Sequence, residues 1–245
     1  MSSHAIRTFH PMATVSGEAH PLKDDTARRR NYKGDMSVRD NRDANIPADE
    51  NCKVYINRLP YNLTYEQLLT AIRNCGKVKT THINNGNARA QQQQQAAGGP
   101  QPQHLTSDAS VTFFDRRSAE ALVSQNGRFR AGDATAVIPQ VRWNRQKVAA
   151  ENGTGKSRVL RLTGPSTFVN EESLHAYFRS KITYNMEKVE TVFSGNGITQ
   201  MDWYFSGWWP QAVACKRALE TEYPDIQGNP EGVSIEVRDD PCAGP

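Results

Sequence analysis

The segment from Val54 to Pro60, with the helix signals that follow it, constrains the fold of this chain more than any other feature. Apolar and polar side chains alternate from Val54 to Asn57, which is typical of a strand with one buried and one open face. Downstream, Thr64 stands at the N-cap of a predicted helix, and Gln67 follows three residues later as in a capping box. This segment predicts a strand that is followed closely by a helix.

The remainder of the first half predicts the order β-α-β-β-α-β. In the second strand, Val78, Thr81 and Ile83 all point inward if a bulge intervenes. Such a unit leaves two helices on one side of a four-stranded antiparallel sheet and the other side free for a partner. The predicted strands occupy residues 54–60, 76–83, 107–114 and 140–143, and the predicted helices follow Thr64 and Asp115.

Residues 52–147 resemble the RNA recognition motif family, through the Val54–Pro60 strand with its outward Tyr55 and through the element order. The resemblance implies a sheet that stacks unpaired bases on exposed rings, each base contributing about 1–3 kcal/mol. One motif departs from the family, whose third strand carries a basic residue, a glycine and two further exposed aromatics. Asp108 and Ser110 stand at those aromatic positions. The resemblance therefore implies binding that is weak through this sheet or helped from elsewhere.

Side-chain alternation and the resemblance together assign roles on the open face of the first sheet. Tyr55 is predicted to stack a base. The alternative is an ordinary solvated surface, above all for His82 and Ser110, and a simple linker start for residues 142–147. The residues predicted to bond to base edges or ribose are Asn57, His82, Ser110 and Thr112, and those predicted to contact phosphates or bases are Lys79, Arg142, Arg145 and Lys147.

The net charge of +4 is unevenly divided along the chain. Residues 1–50 are neutral, residues 51–148 carry 13 basic against 5 acidic side chains, and residues 149–245 carry 9 against 13. Because Lys and Arg supply most of the sequence-independent affinity for nucleic acids, the basic middle part is predicted to face RNA and the acidic last part a protein. The alternative is that these charges only solvate the surface.

The second half repeats the pattern in a divergent form. Val159–Pro165 resembles a first strand, Asn170 caps a helix, and Pro210 suits the first turn of another helix. On the open face, Arg161 takes the place of the stacking ring. The other side chains predicted for that face are Gln200, Asp202, Tyr204, Ser234 and Glu236.

Trp208 and Trp209 follow the third strand of this second copy. The two rings of such a pair are not expected to be fully buried at the same time. An exposed Trp is a common anchor in protein interfaces. The pair is therefore predicted to bind a protein or to dock a domain, with core packing as the alternative.

The predicted fold class is α+β, with two ferredoxin-like β-α-β-β-α-β domains. Residues 1–50 lack periodicity and are predicted to be a disordered tail. A glutamine run at 91–95 lies in a low-complexity insertion at 85–106. The predicted organisation is a tail at 1–50, an RNA recognition motif at 51–148, a linker at 149–156 and a degenerate second domain at 157–241.

The sequence contains no pattern that favours catalysis or a cofactor. There is no phosphate-binding Gly-Lys-Ser/Thr loop with the required spacing and no His-Glu-x-x-His, and the four cysteines form no Cys-x-x-Cys pair. We expect no enzyme activity, no cofactor, no metal site and no small-molecule substrate. The polar start and the lack of a long apolar run favour a nuclear or cytoplasmic protein, the nucleus slightly, without a membrane span or secretory signal.

The leading hypothesis is a non-catalytic protein that binds single-stranded RNA, in particular mRNA, on the sheet of the first domain. The second domain is expected to bind a protein or to pack on the first. The alternative is a protein-interaction scaffold in which both folds have lost RNA binding.

Overall fold

The computed structural model describes residues 46–84, 106–132, 138–224 and 232–244. The predicted disordered tail and the predicted low-complexity insertion lie outside these residues, except at their ends. From Ala48 onward the chain forms one compact unit. This unit contains two four-stranded sheets in which all neighbouring strands are antiparallel.

The first sheet has the strand order β2-β3-β1-β4. Its inner face packs on two helices, with Val54 and Ile56 of the sheet and Leu68 and Leu122 of the helices in one apolar core. The elements are β1 (Lys53–Pro60), α1 (Tyr65–Ala71), β2 (Val78–Asn84), β3 (Thr106–Phe113), α2 (Arg116–Val123) and β4 (Gln140–Trp143).

The second sheet has the order β6-β7-β5-β8, which repeats the first. Its core contains Leu160 and Trp203 of the sheet and Phe178 and Leu219 of the helices. The prediction of two β-α-β-β-α-β domains is confirmed. The elements are β5 (Val159–Pro165), α3 (Glu171–Lys181), β6 (Met186–Gly195), β7 (Ile198–Phe205), α4 (Val213–Glu222) and β8 (Ser234–Arg238), with a short helical turn at Trp208–Ala212 before α4.

The predicted helix starts are confirmed by their capping bonds. At α1 the Thr64 hydroxyl accepts from the Gln67 backbone N–H at 3.1 Å, and the Gln67 side chain accepts from the Thr64 N–H at 3.0 Å. Asp115 and Asn170 cap α2 and α3 in the same way. Each cap satisfies an N–H group that the first helical turn leaves unpaired.

The bulge predicted in the second strand is confirmed as well. The pairing of β2 with β3 shifts between Val78 and Thr80, so that Val78, Thr81 and Ile83 all lie opposite inward residues of β3. The shift leaves Thr80, His82 and Asn84 on the outer face.

A buried ionic cluster joins the two domains. The Arg158 side chain is fully buried and donates to Asp240 at 2.9 Å and to Glu187 at 2.6 Å. Glu187 also pairs with Arg73, which follows α1. Asp240 accepts from the backbone N–H of Val78 at 2.8 Å. Burial opposes the charge of Arg158, but the neighbouring carboxylates of Asp240 and Glu187 outweigh it and raise the Arg158 pKa.

Each domain also places a residue in the core of the other. Phe114, directly after β3, belongs to the apolar cluster of the second domain. Cys242, one residue beyond the predicted end of the second domain, belongs to that of the first. The Cys242 carbonyl accepts from the Gly76 N–H at 2.6 Å. The two domains therefore pack as one body.

Candidate nucleic-acid interface

One row of side chains crosses the outer face of the first sheet. Strand pairing places Arg142 of β4 beside Tyr55 of β1, Tyr55 beside Ser110 of β3, and Ser110 beside His82 of β2. Neighbouring strands lie about 4.8 Å apart, so the row spans about 14 Å. Four of the predicted site residues are thus brought together in the way that alternation predicted. We call them the Tyr55 row.

Tyr55 is half-buried, lies outside the apolar core and points to the outer face. The Arg142 guanidinium lies 5.0 Å from the centre of its ring, in a cation–π contact. Burial, followed by a hydrogen bond to Asp108, raises the pKa of the Tyr55 hydroxyl above its ordinary value. Because Arg142 is exposed, it can move off the ring when a base stacks there.

Asn57 lies two residues along β1 from Tyr55, on the same face and beside Gln140 of β4. Its side-chain oxygen Oδ1 is buried and has no hydrogen-bond partner among the described residues. An unpaired buried acceptor is costly, by about 1–3 kcal/mol. A donor from a ligand would remove that cost, and the exocyclic amines of nucleobases are such donors.

The linker after β4 crosses one end of this face. Its Val148 carbonyl accepts from Cys52 N–H at 2.7 Å, and its Glu151 N–H donates to Phe114 O at 2.8 Å. Lys79 is paired with Glu151 at 2.5 Å. Hydrogen bonds from Lys156 and Lys79 lower the pKa of the Glu151 carboxyl.

Two predicted residues are not available on this face. Thr112 points outward, yet only 3% of it is exposed. The charge of Lys79 is compensated by Glu151. Alternation predicted the outward direction of Thr112 correctly, but it carries no information about Glu151, which lies far along the chain from Lys79.

The remaining basic residues lie beyond β4. Arg145 is exposed and Lys147 is half-buried in the polar start of the linker. Both follow β4, the strand that carries Arg142. Outward residues that the sequence reasoning left out are Thr80, Asn84 and Gln140. The same alternation that identified His82 and Arg142 would have found them.

The open face of the second sheet is occupied by its own ion pairs. Arg161, at the position of Tyr55, makes two hydrogen bonds of 2.7 Å to Asp202. Lys188 lies 4.8 Å from the centre of the Tyr204 ring and pairs with Glu190. Burial and Glu190 raise the pKa of Tyr204 to about 12. This face therefore presents little free positive charge to a polyanion.

The structure separates the two members of the Trp208-Trp209 pair. Trp208 is 8% exposed and belongs to the second core, whereas Trp209 is 52% exposed. The expectation that the pair forms one surface anchor is therefore corrected for Trp208, because its ring is packed in the apolar core of the second domain. Of the two rings, that of Trp209 is available to a partner.

Among the described residues, no cluster of His, Cys, Asp and Glu side chains has a geometry that would hold a metal ion. In the same part of the chain, no helix is both long and apolar enough to cross a membrane. The four cysteines are buried free thiols.

Strand order and helix placement give both domains the ferredoxin-like β-α-β-β-α-β fold. No family model and no curated protein matches the chain. Solved structures that are similar include the two RNA recognition domains of Drosophila melanogaster Sex-lethal, with 15% identity over 77% of this chain and 100% of that one at a TM-score of 0.27. The first two such domains of yeast poly(U)-binding protein share 15% identity over 76% and 99% at 0.27. Domains 1 and 2 of Prp24 from S. cerevisiae share 12% over 78% and 97% at 0.27.

Proposed function

We propose that this protein binds single-stranded RNA on the outer face of its first sheet, with a base stacked on Tyr55. The observation that carries the proposal is the Tyr55 row. An outward ring stands between an exposed arginine and two hydrogen-bonding side chains, Ser110 and His82, on one open face. A flat ring with polar neighbours fits a nucleobase, because every base has a π-surface and hydrogen-bonding edges.

Two further features support RNA as the ligand. Residues 51–148 carry a net charge of +8, which favours a polyanion. The Asn57 side chain lies on the same face, beside Gln140, and once its buried Oδ1 turns toward solvent it can accept from a base amine. From the predicted set we keep Tyr55, Asn57, His82, Ser110, Arg142, Arg145 and Lys147, and we leave out the covered Thr112 and the paired Lys79.

The second domain acts, in this proposal, as a support for the first. Its open face is neutralised by the Arg161–Asp202 pair. Its buried contacts through Arg158 and Asp240 hold β2 and the end of α1 in place. Because the polar side chains of its open face bond to one another, the second domain offers no second sheet for RNA. It instead holds the first domain in position.

A titration of labelled single-stranded RNA of random sequence into the full chain tests this function. Tyr55→Ala is expected to weaken binding by about 1–3 kcal/mol, since the stacking of one base is removed. Tyr55→Phe retains the ring and is expected to bind nearly as well as the wild type. Tyr204→Ala is the matched control, because it removes an outward ring from the other sheet.

The dependence of RNA affinity on salt concentration is the second measurement. If Arg142, Arg145 and Lys147 bind phosphates, replacing all three with Gln lowers the slope of log affinity against log salt by about 0.7 for each phosphate that the variant no longer neutralises. Wild-type protein that does not bind RNA, or a Tyr55→Ala protein that is folded and binds as tightly as wild type, would refute the proposed mechanism.

The protein-scaffold function is a second candidate, and one observation favours it. Val192, Phe193 and Ile198 of the β6–β7 hairpin are 46%, 52% and 40% exposed, and an apolar edge strand is a common protein contact. Crosslinking in living cells, followed by sequencing of bound RNA and identification of bound protein, separates the two candidates. The sequenced RNA tests the expected mRNA partner. Imaging of a tagged chain in the same cells tests the expected nuclear location.

A further inference from the structure

The segment between β7 and α4 crosses the free edge of the first sheet. The Ser206 carbonyl accepts from the Thr81 hydroxyl at 2.6 Å, and Thr81 points to the helix side of the sheet. Gly207 then lies against the β2 backbone itself. A Cβ at Gly207 would stand 2.9 Å from the Lys79 carbonyl oxygen and 3.0 Å from the Thr80 Cα. The second domain thus begins its crossing on the helix side and passes directly over the β2 edge.

Beyond Gly207 the segment starts from this edge. Trp208 is 8% exposed and belongs to the apolar core of the second domain. Because the Gly207 backbone lies against Lys79 and Thr80, the residues that follow it begin at the β2 edge, next to the outward Thr80.

Trp209 is the next residue and leaves its ring in solvent. Its backbone is extended and its side chain is 52% exposed. Its Cα lies two residues from Gly207, which is at most about 7 Å of chain. The outward residues of β2 beside this crossing are Thr80 and His82, and His82 is the last member of the Tyr55 row.

We propose that Trp209 extends the RNA-binding face beyond the β2 edge and stacks a second unpaired base. The third strand of the RNA recognition motif family carries exposed aromatics where this chain has Asp108 and Ser110. The Trp209 ring of the second domain would take the place of one of them. This inference rests on the proposed function. Residues 51–148, which border this ring, carry a net charge of +8, whereas residues 149–245, which hold it, carry 9 basic against 13 acidic side chains. The attraction of RNA to this border therefore comes from the first domain. RNA would then lie across the Tyr55 row and continue onto the second domain.

Binding of labelled random-sequence single-stranded RNA to the full chain tests the inference. Trp209→Ala is expected to weaken binding about 5-fold to 150-fold, the range for the loss of one stacked base. Trp209→Phe is expected to retain most of the affinity. Phe193→Ala is the matched control, because Phe193 is also 52% exposed on the same domain and is expected to leave RNA affinity unchanged.

Tryptophan emission gives an independent readout. Trp203 and Trp208 are 0% and 8% exposed, but Trp143 is half-buried on β4, next to the exposed Arg142, so the emission change on adding RNA is compared between wild type and Trp209→Phe, and the part that is lost in the variant is assigned to Trp209. If Tyr55→Ala weakens binding and Trp209→Ala does not, the inference is overturned and the proposed function stands. If the wild type binds no RNA, both fall. Loss of self-association or of protein binding in Trp209→Ala, with RNA affinity unchanged, would also overturn the inference and assign the ring to a protein.

Discussion

Arg158 shows how much of this molecule depends on a single buried charge. Its side chain is fully buried between Glu187 and Asp240, which are exposed by 1% and 0%. Charges in such a site are stable only when they are paired and hydrogen-bonded. Alternation places Arg158 on the same side as the inward Leu160, and Arg161, three residues later, on the open face. Alternation predicted the direction of Arg161, but the partners of Arg158 come from 29 and 82 residues away.

Replacing Arg158 with Met is expected to lower the free energy of unfolding by about 3–5 kcal/mol, because Asp240 is left as an unpaired buried charge. Urea unfolding measures the change. Arg161→Met is the control: it also removes an arginine paired with an aspartate, but its side chain is 20% exposed, so water can replace part of the missing bond and the expected loss is smaller. Equal losses would contradict this account of burial.

At the scale of elements, α2 begins against Gly76. Gly76 has φ of +145°, and a Cβ there would stand 1.8 Å from the Ser118 hydroxyl oxygen and 3.1 Å from the Ser118 Cα. Ser118 is held in place because its hydroxyl bonds to the Asp115 cap at 2.7 Å. The turn after α1 can therefore approach α2 closely only when residue 76 has no side chain. The helix α1 itself ends earlier, at Ala71.

Gly76→Ala is expected to destabilise the first domain by about 2–4 kcal/mol, the sum of an unfavourable φ and overpacking against α2. Gly127→Ala is matched in having a positive φ of +82° but has no atom within 4 Å of its Cβ. It is expected to cost only about 1–2 kcal/mol. Thermal unfolding of both variants measures the difference, and similar midpoints would show that contact with Ser118 is unimportant.

The helix α3 of the second domain carries His175, whose protonation is linked to the stability of the fold. His175 contacts the Tyr184 hydroxyl through Nδ1 at 2.5 Å, and its ring meets Trp203 edge-on at 4.9 Å. Burial, then the charge of Arg179, lowers the His175 pKa below 6.5, and Glu171 opposes them. The folded state therefore prefers the neutral ring.

The unfolded chain takes up a proton at His175 more readily than the folded protein does. The stability that the neutral ring contributes is therefore complete above the ordinary histidine pKa of 6.5. It is lost as the pH falls from 6.5 through the pKa of His175 in the folded protein. We expect the unfolding free energy to decrease between about pH 7.5 and about pH 5.5, and the decrease to be smaller in His175→Gln. Titration of the ring by NMR gives the pKa directly. A value above 6.5 would reverse the predicted sign.

At the scale of the whole molecule, the two domains behave as one body because they share core residues as well as surface contacts. Phe114 and Cys242 each lie in the core cluster of the other domain. Gly207 brings the backbone of one domain onto the edge strand of the other. We therefore expect a single cooperative unfolding transition, in which tryptophan emission and far-ultraviolet circular dichroism coincide.

Gly207→Ala is expected to separate this transition into two. Gly207 has an extended φ of −165°, so alanine causes no backbone strain, and only the approach to Lys79 and Thr80 is disturbed. Gly195→Ala is the control, since the atom nearest to its Cβ is the flexible tip of Phe193 at 3.1 Å. Coincident transitions in Gly207→Ala would show that close packing at the β2 edge does not couple the domains.

The sequence by itself determined the elements and the direction of their side chains. Capping residues such as Thr64 and Asp115 act within one helical turn, and the outward position of Tyr55 follows from strict alternation along one strand, so both are local properties. Only the tertiary structure decided which outward residues remain accessible. Thr112 is buried, Lys79 is paired with Glu151 of the linker, Trp208 is buried while Trp209 is not, and Arg158 finds its partners 29 and 82 residues away within its own domain. These outcomes depend on contacts between residues far apart in the chain, whose geometry no local pattern records.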